Sequence, residues 1–126
     1  MLSEAKNAEV LPQHLEYVNT QDARDALMFL VGAAATDSRF QCHGTTKGVV
    51  RDFRYYDASG KQPYAFIVNR ESLLFYFRTP AVESGKHDFR ELQALFTEVN
   101  QNNSGEWTVR IADLAGALKL SEFLQR

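Results

Sequence analysis

The chain has 126 residues, of which 44% are hydrophobic, 12% aromatic and 24% charged, and its 14 basic and 16 acidic residues give a formal net charge of -2. That length holds one domain with a sizeable core, so residues 1–126 read as a single domain, and the composition excludes a disordered or fibrous chain. The charge balance excludes strong non-specific attraction to polyanions while leaving room for a local basic patch.

The opening residues, MLSEAKNAEVLPQ, carry Glu4 and Glu9 and no unbroken apolar stretch. They read as neither a secretory signal nor a membrane span, which needs roughly 20 apolar residues. Residues 1–12 are expected to form a loosely ordered N-terminal segment. In TQDARDALMFLVGAAATDSRF, Thr20 precedes an acidic first turn, and Ala23, Ala26, Leu27, Leu30, Val31 and Ala34 recur at three and four residues, which predicts the first helix. The segment CHGTTKG reads as a connector, VVRDFRYYD as a first strand, ASGKQP as a hairpin loop and YAFIVN as a second strand. After the turn NRES comes a third strand, LLFYFRT, stopped by Pro80. Asp88 and Glu91 then cap a helix that bears Phe89, Leu92, Leu95, Phe96 and Val99 and runs to about Asn100. The loop QNNSG leads into a fourth strand, EWTVRIA, and Asp113 caps a last helix, LAGALKLSEFL.

The order α-βββ-α-β-α predicts an α+β fold. An antiparallel three-strand meander is joined by a fourth strand after a crossover helix, expected to pair in parallel, with helices packed on the sheet. Strand alternation separates Leu73, Phe75 and Phe77 from Leu74, Tyr76 and Arg78, and Trp107, Val109 and Ile111 from Thr108 and Arg110. With Phe53 in the core, the outer face collects Arg54, Tyr56, Tyr76, Arg78, Thr108 and Arg110. Guanidinium forks suit phosphate or carboxylate, and tyrosine rings suit base stacking or a protein partner. Equally, such residues shield a water-facing sheet and pair with Asp52 or Asp57. The loop NQNNSGE, with Asn102 and Asn103, is a second recognition candidate, its plainer reading being a helix stop and tight turn.

The element order resembles the core of restriction-endonuclease-like nucleases. That resemblance implies a metal held by an acid on the second core strand and an acid-x-Lys motif on the third. Here the only E-x-K is Glu4-Ala5-Lys6 in the N-terminal tail, the third strand has no carboxylate, and Glu71 sits in a turn before Ser72 and Leu73. Cys42 and His43 are adjacent in sequence and so point apart, a poor nucleophile and base; His14, Cys42, His43 and His87 lack metal-ligand spacing. No phosphate-binding glycine loop or nucleophile elbow is present, and Gly44, Gly48 and Gly60 read as turn glycines.

The single cysteine fits a reducing compartment. The sequence therefore reads as a cytoplasmic, non-catalytic binding protein without metal, cofactor or membrane. A protein partner is expected, in the manner of an inhibitor, immunity-type or accessory protein, at the face formed by Arg54, Tyr56, Tyr76, Arg78 and Arg110 or at Asn102 and Asn103. The alternatives are a nucleic-acid or phosphate-ligand module on that face, or an enzyme whose site one sequence does not reveal. An exposed strand edge or tyrosine-rich face would also favour a two-fold homodimer.

Overall fold

The computed structural model describes the backbone of residues 1–126 and the side chains of all but residues 4–6. Five helices and six strands follow in the order α1 (Glu4–Tyr17), α2 (Gln21–Thr36), β1 (Gln41–Lys47), β2 (Val50–Tyr56), β3 (Tyr64–Val68), β4 (Leu73–Phe77), α3 (Thr79–Glu83), α4 (Phe89–Leu95), β5 (Val99–Gln101), β6 (Trp107–Ile111) and α5 (Leu114–Gln125). The strands form one antiparallel sheet in the order β1-β2-β3-β4-β6-β5. No helix is long and apolar enough to cross a membrane among the described residues.

Local chemistry explains the elements. Thr20 accepts from the Ala23 amide and starts α2, whose Ala23, Ala26, Leu27, Leu30 and Ala34 are buried. Asp88 accepts from the Arg90 and Glu91 amides at the start of α4, and Asp113 accepts from the Gly116 amide at the start of α5. One face of the sheet carries Phe53, Phe66, Phe75 and Phe77, each 0% exposed, in register across β2, β3 and β4. Phe53 stacks on Phe66 with centroids 5.0 Å apart, and Phe77 meets Phe123 of α5 edge-on at 5.9 Å. Truncating one such ring costs about 3–5 kcal/mol, so this layer dominates the fold. Every long helix turns its apolar stripe to this side, leaving the opposite face of the sheet uncovered.

Several expectations are corrected. Most of residues 1–12 belong to α1, which continues through the exposed Pro12 even though Pro12 cannot bond back to the Ala8 carbonyl. CHGTTKG is not a connector but most of β1. Its Gly44 lets α1 lie close, since a Cβ there would stand 3.0 Å from Val10 Cγ1 and 3.2 Å from His14 Nε2. The helix after Asp88 ends at Leu95, and residues 99–101 are the edge strand β5. The crossover does deliver a strand running in the direction of β4, but that strand is β5. The following hairpin inserts β6 antiparallel between β5 and β4, so the expected parallel pairing does not occur. Pro80 lies inside the short helix α3 rather than at the strand end.

The free edge of β1 is partly closed. Cys42 accepts from the Ser3 amide at 2.9 Å and donates to the Met1 carbonyl at 2.7 Å. The buried Asn7 amide donates to the Cys42 carbonyl at 3.1 Å and accepts from the Gly44 amide at 2.8 Å, filling the place of a neighbouring strand residue. His14 is fully buried beneath β1, with Nε2 2.9 Å from the Asp52 carbonyl, so Nε2 carries the proton. Its Nδ1 has no hydrogen-bond partner among the described residues, and burial lowers its proton affinity.

Candidate functional site

The uncovered face is built from three rows that cross the sheet. One row runs Gln41, Tyr56 and then Arg78 with Glu106; the middle row is His43, Arg54, Ala65, Tyr76, Thr108 and Asn100; the third is Thr45, Asp52, Ile67, Leu74 and Arg110. Ala65 is the smallest side chain of the middle row and lies between Arg54 and Tyr76. The gap it leaves is a depression of about 240 Å³ lined by Asp52, Arg54, Ala65, Ile67, Tyr76, Arg78 and Glu106. Its floor is apolar, from Ala65, Ile67 and the Tyr76 ring. Burial pushes the Tyr76 hydroxyl above its ordinary pKa, with the Glu106 carboxylate adding to it, so the phenol stays neutral.

The arginines are not free. Arg54 Nε is 2.8 Å from Asp52 Oδ2, Arg78 Nε is 3.0 Å from Glu106 Oε2, and Arg110 Nε is 2.9 Å from Glu98 Oε2. Arg78 also donates to Gln62 Oε1 at 3.0 Å and Arg110 to Ser72 Oγ at 2.8 Å. The Asp52 carboxylate, which also accepts from the Thr45 hydroxyl, raises the proton affinity of Arg54 further. Each guanidinium on this face therefore has a carboxylate of the same chain, and the rim alternates in sign.

The sequence-predicted residues divide accordingly. Arg54, Tyr56, Tyr76, Arg78 and Arg110 all lie on one face, as strand alternation requires. Tyr56 is stacked on His43, centroids 4.9 Å apart and planes 11° apart. Asn102 joins the same face through Glu106, donating to Glu106 Oε1 at 3.1 Å. Its own Oδ1 accepts from the Ser104 and Glu106 amides, so it closes the β5–β6 turn, where Gly105 takes φ 82°. Asn103 is exposed at the tip of that turn. Cys42 and His43 point to opposite sides of β1. Cys42 is in the core with its thiol pushed up to about 11 by burial, and His43 is on the outer face, so the two do not form a dyad.

Sequence reasoning missed His43 and Thr45, because β1 was read as a connector, and Ala65, Ile67, Asp52 and Glu106 as parts of the depression. The available signal was in YAFIV, which is apolar on both strand phases. Such a strand either lies between two layers or presents an apolar strip to a partner. No group of three or more His, Cys, Asp or Glu side chains is placed to hold a metal ion among the described residues.

Fold and face together define a small α+β domain whose antiparallel sheet is covered by helices on one side and open on the other. In comparisons with known proteins, no family model, no curated protein and no solved structure matches the chain.

Proposed function

We propose that the protein acts by binding a protein partner on the open face of its sheet, as an inhibitor, immunity-type or accessory protein of the cytoplasm. One observation carries this reading. An apolar strip of Ala65, Ile67, Leu74 and Tyr76 lies half-exposed inside a rim of arginines that the chain has already neutralised. Apolar centre and polar rim is the anatomy of a protein interface. A phosphate ligand would instead have to compete with Asp52, Glu106 and Glu98 for the same guanidiniums. The depression above Ala65 suits one aromatic or aliphatic anchor from the partner.

The test is Ala65→Arg, which fills the depression from a position already open to water. Wild type and variant are used to capture partners from nuclease-treated native lysate, with unfolding midpoints measured alongside. A protein retained by the wild type and lost by a variant of near-wild-type stability supports the reading. Equal capture by both would remove the site from this face. Sedimentation of the purified chain asks whether the partner is a second copy.

A further inference from the structure

We infer that Arg51 and Arg70, held against the ring of Tyr17, form a binding site for a phosphate oxyanion, at the end of the sheet where the β1–β2 and β3–β4 turns meet the end of α1. The guanidinium carbon of Arg51 lies 3.9 Å from the Tyr17 ring centroid and that of Arg70 lies 4.4 Å from it. The two like charges around a single ring lie within about one Debye length of each other, ~8 Å at physiological ionic strength, so their fields add at this place. Neither forms an ion pair among the described residues, in contrast to Arg54, Arg78 and Arg110. The acidic neighbours in sequence, Glu16 and Glu71, are both exposed.

The arrangement is held by the backbone. The Asn19 amide donates to the Arg70 carbonyl at 2.8 Å, and Arg24 Nη2 donates to the Val18 carbonyl at 2.8 Å, which fixes the end of α1 beside the β3–β4 turn. Arg51 gives Nη1 to the Val49 carbonyl at 3.3 Å and keeps its other N–H groups. A guanidinium held over a ring still carries a fork of N–H donors at its rim, and such a fork can grip a phosphate bidentately. A dianion at this place would pair with two cations that have no carboxylate partner among the described residues. Either a small phosphate ester or a nucleic-acid strand supplies that chemistry.

The experiment follows the arginine Nε–H signals by NMR in the intact chain while sodium phosphate is added at constant ionic strength, with sodium chloride as reference. Saturable shifts at Arg51 and Arg70, absent with chloride, are expected. Arg51→Gln/Arg70→Gln should weaken phosphate at least about tenfold, as loss of charge-assisted hydrogen bonds implies, while Arg54→Gln leaves it unchanged. Arg70 is exposed in a turn, so Arg70→Gln alone keeps the fold and should weaken phosphate several-fold. A 5′-phosphorylated oligonucleotide identifies the source: tighter binding than inorganic phosphate assigns the site to a strand, equal or weaker binding to a small ester. The inference is overturned if chloride reproduces the shifts, if the arginine variants keep wild-type affinity, or if phosphatidylserine vesicles bind while phosphate does not.

Discussion

Replacing His87 should flatten the acid side of the stability curve. The His87 ring is buried between Phe123, stacked at 5.1 Å, and Phe77, edge to face at 5.2 Å, and its Nε2 is hydrogen-bonded to the Tyr64 hydroxyl at 2.6 Å. Burial, then the nearby charges of Lys86 and Arg39, lower its pKa from 6.5 to about 4. Because the folded value lies below the unfolded one, the unfolded chain takes up the proton first as pH falls. The contribution of the neutral ring is thus fully present above about pH 7 and drains away towards pH 4. Between pH 7 and 5 the loss is about 2 kcal/mol for a fully shielded ring, and about 1 kcal/mol where water beside Lys86 screens it. Urea unfolding of wild type and His87→Phe at both pH values measures this. Loss of the hydrogen bond to Tyr64 lowers the variant at both pH values alike and cancels in the comparison. The wild type should lose about 1–2 kcal/mol more than the variant on going from pH 7 to 5. Equal losses in the two proteins would refute the assignment of a depressed pKa to this ring.

Gly44→Val should cost about 1–3 kcal/mol by overpacking the contact with Val10 and His14. Amide exchange in α1 should rise before that of the sheet, and an unchanged urea midpoint would mean that α1 does not rest on Gly44. Asp113→Ala should lower stability by about 1 kcal/mol through loss of the α5 cap, largely restored in Asp113→Asn. Cys42 should react with a thiol reagent at pH 8 only on unfolding, since its thiol is buried and its pKa is pushed up to about 11; prompt reaction of the native protein would contradict its place in the core. Glu106→Gln should change stability by less than about 1 kcal/mol, because Arg78 remains well solvated and keeps Gln62, a result that the urea midpoint reads directly.

Periodicity and caps made most of the fold legible. Thr20, Asp88 and Asp113 marked three helix starts, and the alternation of LLFYF and WTVRI sorted core from surface. What was hidden depends on contacts distant in sequence. Gly44 makes CHGTTKG look like a turn until α1 is laid against it, and α1 itself needs that docking because Pro12 weakens it as an isolated helix. β5 is three residues long and gains its strand character from pairing with β6. The candidate face was legible in outline for the same reason that the core was, since one phase determines the other. Its electrostatic character was not, because the pairs Arg78–Glu106 and Arg110–Glu98 follow from strand order and from the β5–β6 turn. The depression also went unseen, since it depends on Ala65 having taller neighbours in adjacent strands.

Asn7 stands in for a strand residue at the edge of β1, and it does so from a helix. The side chain that docks α1 therefore also occupies backbone groups that would otherwise be available to another polypeptide. Release of α1, whether by crowding at Gly44 or by protonation of the buried His14, would take the Asn7 side chain from the Gly44 amide and leave the Cys42 carbonyl with the Ser3 amide alone. The Gly44 amide then faces outward without a partner, so the closure of this edge against a further strand depends on one side-chain amide near the start of the chain.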